Sequence, residues 1–481
     1  MNHRMIAYFL SVILWIEAAL LLLPLACALI YREDPWPFLF TMALLVAAGI
    51  PFGIKKPKNT RIYAKEGFVC VALSWLLMSV FGALPFVFSG AIPHFLDAFF
   101  ETVSGFTTTG ATILPAVEGL PYGILFWRSF THFIGGMGIL VFMLAVLPTI
   151  GGDGRAIHLM RAEVPGPTKG KLVPKLRQTA LILYTIYISL TVLQTLLLWA
   201  VGLPFYDALV SSFATTGTGG FAVKNLSIAA YANPAAEWIV TAFMVLCGIN
   251  FNLFYFLLIR NVRDILKNEE VRVYFVLYLV ASVTVAINTA SLFPGVGDCI
   301  RAAFFQVASI ISTTGFATVN FDLWPTFSKA ILLLVMLTGA CAGSTAGGLK
   351  LSRVLLLFKS ALREIRQILR PKSVNVIRLD GEAVPDSVIR TSNSYLATYM
   401  LLFVGFFLII SIDGLNFETT FTGLLTCINN VGPGFSLVGP MGNFSVFSHF
   451  SKFVLSFAML FGRLEIFPMM ILLAPSTWKR R

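Results

Sequence analysis

Phe106-Thr107-Thr108-Thr109-Gly110-Ala111-Thr112 decides the fold, because the chain carries versions of it four times. It returns as Thr215-Thr216-Gly217-Thr218-Gly219-Gly220-Phe221, as Ser312-Thr313-Thr314-Gly315-Phe316, and as Asn429-Asn430-Val431-Gly432-Pro433-Gly434. Each copy belongs to a segment too short to cross a bilayer, at 95–112, 205–221, 299–318 and 417–435, set between two longer apolar stretches. Internal repetition identifies an architecture more reliably than any one segment. A single copy reads as a Gly/Thr turn at a surface; four copies, in the same place in four hairpins, read as one pore.

Three copies align directly on Gly110, Gly315 and Gly432, while repeat two offers two registers. Matching Gly-Phe to repeat three selects Gly220 and gives Asp207 to Gly220 the 13-residue offset of Asp97 to Gly110; Gly217 is the alternative. Glycine is needed on steric grounds. A filter turns backbone carbonyls toward an ion in conformations that a Cβ would penalise or obstruct. The expected filter is Thr108, Thr109, Gly110, Gly219, Gly220, Thr314, Gly315, Val431 and Gly432. Short helices ahead of these loops would point their negative C-terminal ends at a cation. Non-helical backbone at that depth requires cover from protein or water.

The rest of the chain fits a membrane. Of 481 residues, 57% are hydrophobic and 12% charged, and the mean hydropathy is +0.83. Soluble domains carry roughly 25% charge, so a soluble enzyme, a disordered chain and a secreted disulfide scaffold are excluded. Ten stretches reach the length of about 20 apolar residues that a bilayer core requires: 5–30, 36–54, 67–90, 122–150, 179–203, 238–259, 273–293, 328–358, 394–412 and 450–474. The reading is an all-α polytopic protein. Two extra N-terminal helices (1–61) precede four helix–pore loop–helix repeats, at 62–177, 178–272, 273–390 and 391–481, around a pseudo-fourfold pore. The cysteines Cys27, Cys70, Cys247, Cys299, Cys341 and Cys427 lack Cys-x-x-Cys spacing and read as apolar packing.

A net charge of +12 in a soluble protein would suggest nucleic acid. Here 28 of the 35 basic residues follow the even-numbered spans or lie at the termini, so the charge is a topology signal placing both termini in the cytoplasm. The opposite face keeps Asp97, Glu101, Glu118, Asp207, Glu237, Asp298, Asp322, Asp413 and Glu418, an acidic mouth on one reading and ordinary helix caps on the other.

The layout, with Phe106–Thr112 and the closing Asn429-Asn430-Val431-Gly432-Pro433-Gly434, resembles the TrkH-type subunits of the Trk/Ktr/HKT potassium-transporter superfamily over essentially the whole chain. The resemblance implies potassium uptake across a bacterial inner membrane, a homodimer in lipid, and a cytosolic nucleotide-binding regulatory partner of the TrkA kind. Potassium is then the only ligand expected, with no nucleotide bound by this chain. The family's filter glycines fall on Gly110, Gly220, Gly315 and Gly432, and Gly110 rather than serine fits potassium over sodium.

Two further features concern gating. Span eight contains Thr338-Gly339-Ala340-Cys341-Ala342-Gly343-Ser344-Thr345-Ala346-Gly347-Gly348-Leu349-Lys350. Gly339, Gly343 and Gly347 form a small-xxx-small ladder suited to a continuous, closely packed helix. The density of small residues and the adjacent Gly347-Gly348 favour a loop instead, and the family's segment here is an intramembrane gate that includes Lys350. Arg463 lies 16 residues before Lys479, too deep to reach the surface comfortably. Facing the pore below the filter it would raise a barrier to cations, the role of the family's arginine there; an ion pair is the alternative, although Glu465 cannot share its helix face. Arg128 and His132, four apart, read as structural or as an outer-pore charge pair. No metal-ligand spacing, Walker loop or dinucleotide fingerprint supports an intramembrane enzyme. A symporter coupled to protons or sodium is the closer alternative, and the scarcity of carboxylates within spans, Glu17 and Glu465 apart, favours a channel. The segments 150–177 and 359–393 are the expected docking surface for the regulator.

Overall fold

The computed structural model describes residues 1–59, 63–138, 176–373 and 375–479. The second half of span four, the basic segment up to Lys175, and Arg61, Arg480 and Arg481 lie outside the described residues.

The N-terminal pair consists of His3–Leu20 continued by Leu22–Ile30, lying against Trp36–Gly53. Asn2 caps the first helix by accepting the Met5 N–H. Gly49 and Gly53, one turn apart, leave the slot that the Trp15 indole fills, and a Cβ at either would strike that ring.

The four repeats follow as expected. Long helices Ala64–Gly82 with Leu84–Phe88, Leu176–Ala200, Glu269–Thr289 and Asp386–Ile410 open them. Pore helices Phe95–Phe106, Phe205–Thr216, Val296–Ile311 and Phe417–Asn429 come next. Most of the buried apolar side chains fall into two large clusters. One is built mainly from the N-terminal pair and repeats one and four, with Val210, Phe213 and Val223 of repeat two, and the other mainly from repeats two and three, with Leu425, Val431 and Phe435 of repeat four. Outward-facing Leu401, Val404, Leu408 and Ile412 are exposed, as a lipid-facing surface requires.

The second helices depart from the sequence expectation, because the spans read as continuous at 238–259 and 450–474 are both broken. In repeat two, Pro234–Cys247 and Phe251–Leu258 meet at 96°. In repeat four, His449–Arg463 stops, Glu465 and Ile466 take left-handed φ of 55° and 63°, and Phe467–Leu473 resumes. Repeat three has no helix between Thr338 and Leu351, and repeat one ends its helix at Gly136. Consequently six helices are each long and apolar enough to cross, with the bent pair a seventh, among the described residues. The physical reason is pairing across repeats. Cys341 N–H donates to Gly248 O and Phe251 N–H to Gly343 O, both at 3.0 Å, so the break in one repeat satisfies the backbone of another.

Candidate functional site: a four-loop ring over an intramembrane loop

All four pore helices end alike. Thr108, Thr218, Thr313 and Asn430 each take a left-handed φ of 55°. The next N–H turns back to the carbonyl five residues earlier: Thr109 to Ser104, Gly219 to Ala214, Thr314 to Ser309 and Val431 to Thr426, at 2.8–2.9 Å. This is a Schellman-type C-cap. Gly110, Gly220, Gly315 and Gly432 follow at φ of 80°, 79°, 84° and 97°. Gly217, the other candidate in repeat two, stays right-handed at φ −71°.

These glycines close a ring. A Cβ on Gly110 would collide with the Gly219 carbonyl, on Gly220 with that of Thr314, and on Gly315 with that of Val431. On Gly432 it would sit 2.7 Å from the Thr109 oxygen, which returns the sequence to repeat one. The loops are thus neighbours in the order one, two, three, four, with the carbonyls of Thr109, Gly219, Thr314 and Val431 each facing the adjacent glycine. Asn430 braces the ring by donating to Thr109 Oγ1 at 2.9 Å.

Repeat two carries glycine where its counterparts carry Thr109, Thr314 and Val431, and the cause is His132. A Cβ on Gly219 would run into the imidazole. That ring accepts the Phe221 N–H at Nε2, 3.2 Å away, and Nδ1 lies 2.8 Å from Gly105 O, which sets a neutral tautomer with the proton on Nδ1. Arg128 is buried against Glu101 at 2.7 Å, stacks 3.6 Å over Phe221 and donates to Ala222 O. Glu101 also accepts from Thr112 Oγ1 and Ile113 N–H. Both residues therefore join the first two loops and are not exposed pore charges.

Above the ring lies a vestibule of about 230 Å³, lined by Gly110, Gly220, Gly315 and Gly432 together with Arg128 and Lys224. No carboxylate lines it among the described residues. The acids on that face are already engaged. Asp97 pairs with Lys452, Glu237 and Asp298 with Arg301, and Asp322 and Glu418 with Lys329. Asp413 caps at Ser448, and Asp207 accepts from Tyr231. The acids of the expected mouth thus form structural pairs and caps.

Below the ring, residues 339–350 form the loop. Gly339 (φ 65°) and Gly348 (φ 81°) touch at its neck, where a Cβ on Gly348 would lie 2.9 Å from Gly339 Cα. Gly343 (φ 76°) packs on the Asn250 side chain. Gly347 presses on the underside of the ring: its N–H donates to Thr313 Oγ1 at 2.8 Å, and a Cβ there would strike the Asn429 carbonyl. Buried Lys350 (φ 65°) donates to Ala346 O at 2.5 Å.

Arg463 completes the arrangement. It donates to Thr345 O at 2.6 Å, within the loop, and to Gly135 O and Gly136 O at 2.5 and 2.9 Å, where the second helix of repeat one stops. Glu465 pairs instead with Arg353, which stacks 4.1 Å over Tyr395. A cavity of about 80 Å³ separates these groups, lined by Gly136, Gly343, Gly347, Lys350 and Arg463.

Residues 38–480 match the TrkH family, described as cation transport proteins. The chain belongs to that family. It is 36% identical to the Trk system potassium uptake proteins TrkH of Salmonella typhimurium and of Escherichia coli strain K12, covering all of both chains in each comparison. It is 32% identical to TrkG of the same Escherichia coli strain over 99% of each chain. Its fold matches the crystal structure of the potassium transporter TrkH from Vibrio parahaemolyticus with a TM-score of 0.88, at 31% identity and full coverage of both chains.

Within this TrkH-family framework the sequence pointed to nine filter residues and six gate residues, whose neighbours it could not supply. Asn250 and Glu270 went unnoticed, although each lies against the loop at 339–350. A polar side chain next to a helix break is the signal that would have found them, because the broken backbone needs partners.

Proposed function

We propose that the chain is a potassium uptake protein of a Trk system. Its ion passes through the ring built on Thr108–Gly110, Gly219–Gly220, Thr314–Gly315 and Val431–Gly432, and the loop at 339–350 with Arg463 gates it. The observation that carries this reading is the closed ring of left-handed glycines, each against the next repeat's carbonyl. Carbonyls at such a ring replace the hydration shell of a weakly hydrated cation. The loop and the Arg463 guanidinium stand in the path below it, with a fixed positive charge that opposes cation passage.

On this reading the gated state is the one described. Conduction requires Arg463 to leave the carbonyls of Thr345, Gly135 and Gly136, and the loop to drop from Thr313 and Asn429. Channel-like conduction is favoured over symport because Glu465, the one carboxylate lining the inner cavity among the described residues, is paired to Arg353. The basic face of Leu351–Leu369, with Arg363 and Arg366, supports docking of a cytosolic nucleotide-binding subunit of the TrkA kind. The chain acts as a homodimer in the inner membrane, with both termini cytoplasmic.

The test is expression in cells lacking potassium uptake, with growth at limiting potassium and rubidium influx as readouts. Wild type restores growth, whereas Gly432→Ser, which places a side chain 2.7 Å from the Thr109 carbonyl, admits sodium or loses influx. Absence of rescue by the wild type would refute potassium uptake, and influx that stops when the sodium or proton gradient is collapsed at constant membrane potential would establish symport.

A further inference from the structure

The loop at 339–350 is fastened at both ends by one side chain. Glu270 is buried in the first turn of Glu269–Thr289, and its Oε1 accepts the Ala342 N–H at 2.8 Å and the Ser352 N–H at 2.9 Å. Ala342 lies near the start of the loop, and Ser352 opens the helix that leaves it. One oxygen therefore ties entry to exit. Both bonds run from backbone amides to a carboxylate, the stronger, charge-assisted kind, and the carboxylate also sits at the positive N-terminal end of Leu351–Leu369.

The same turn is tied to the middle of that helix. Glu269 pairs with Lys359 at 2.5 Å, and its N–H donates to Asp380 Oδ1 at 2.7 Å. Lys359 Nζ donates in turn to Arg378 O at 2.8 Å. Arg378 and Asp380 belong to a small hairpin whose strands, Arg378–Leu379 and Glu382–Ala383, pair antiparallel. Hairpin, turn and loop are thus linked in series by hydrogen bonds, with Glu270 the last member before the loop.

We propose that Glu270 is a positioning residue, the latch that keeps the loop beneath the filter, and that displacement of the 378–383 hairpin reaches the loop through it. This rests on the gating reading above. Losing the latch frees Ala342 and Ser352 from their shared acceptor, so the loop leaves Gly347's site under Thr313 more often. The change acts on the closed arrangement and leaves the ring's carbonyls untouched.

The test uses the full chain in membranes, with two readouts. Cys341, buried within the loop, reports loop release through its rate of modification by a small maleimide, with Cys341→Ser as the control for site. Rubidium influx reports conduction. Glu270→Ala is expected to speed Cys341 modification about ten-fold, the scale of losing a hydrogen bond to a charged group, and to raise influx. Glu270→Gln, which keeps an acceptor without the charge, falls between. Asp380→Ala produces a smaller rise, and none on top of Glu270→Ala. Unchanged modification in Glu270→Ala, or in Glu270→Gln if the alanine variant does not fold, overturns the latch. Faster modification without increased influx in either Glu270→Ala or Arg463→Ala overturns the gate reading while leaving the latch standing.

Discussion

Gly219 is a glycine because His132 needs its space, and that one exchange explains why the second loop departs from its counterparts. In the other three repeats a β-carbon precedes the left-handed glycine; in repeat two an imidazole from the neighbouring helix bridges Gly105 O and the Phe221 N–H instead. Gly219→Ala should therefore destabilise the protein by about 1–3 kcal/mol, the usual cost of overpacking. In a His132→Ala background the same change should cost no more than a few tenths. Thermal unfolding of the four proteins in detergent gives this double-mutant cycle, and equal costs in both backgrounds would refute the steric account. The Glu101–Arg128 pair makes a second residue-scale prediction. Both groups are buried, with side chains 0% and 3% exposed. Removing one partner as Arg128→Ala leaves an uncompensated carboxylate and should cost about 3–5 kcal/mol, read as loss of monodisperse protein on size-exclusion chromatography.

At the scale of elements, the second helices differ in form from the first. The long helices that open each repeat are continuous or nearly so, and those of repeats two, three and four leave most of their surface exposed. Those that follow the filter stop or bend just below it, at Gly136, at Gly248–Asn250, at Gly339 and at Leu464–Ile466. Their exposed backbone groups supply the carbonyls that Arg463 and the loop engage. Arg463→Ala removes three such bonds and the local positive charge together. It should raise rubidium influx at unchanged protein level, whereas Arg463→Lys, which keeps charge without the planar fork, should fall between. Unchanged influx in the alanine variant would remove Arg463 from the gate. Repetition made the pore helices legible in the sequence, and a dense run of small residues marked the break in repeat three. The bends in repeats two and four were not legible. Each lies inside a stretch apolar enough to read as one span, and the partners that compensate the lost helical bonds at Gly248 come from another repeat.

For the whole molecule, one apolar cluster lies mainly in repeats one and four and the other mainly in two and three, and the ring is the place where all four meet. No single repeat holds a filter residue in position by itself, since each glycine's neighbour is the carbonyl of the next repeat. On the orientation expected from the charge asymmetry, a reporter fused after Lys479 should be active only in the cytoplasm, and activity on the other side would overturn that orientation. Length, hydropathy and repetition by themselves determined that the chain spans a membrane, that it carries four hairpins and which glycines the repeated loops share, with Gly220 preferred to Gly217 in the second. Those properties are local, because bilayer thickness sets span length and the left-handed φ at a loop tip selects glycine. Only the tertiary structure decided that each of these glycines meets the next repeat's carbonyl, that the outer acids are paired, and that Arg463 and Glu270 both bond the backbone of one loop. Each of these depends on which backbone groups from distant repeats meet, and the linear pattern carries no record of those distances.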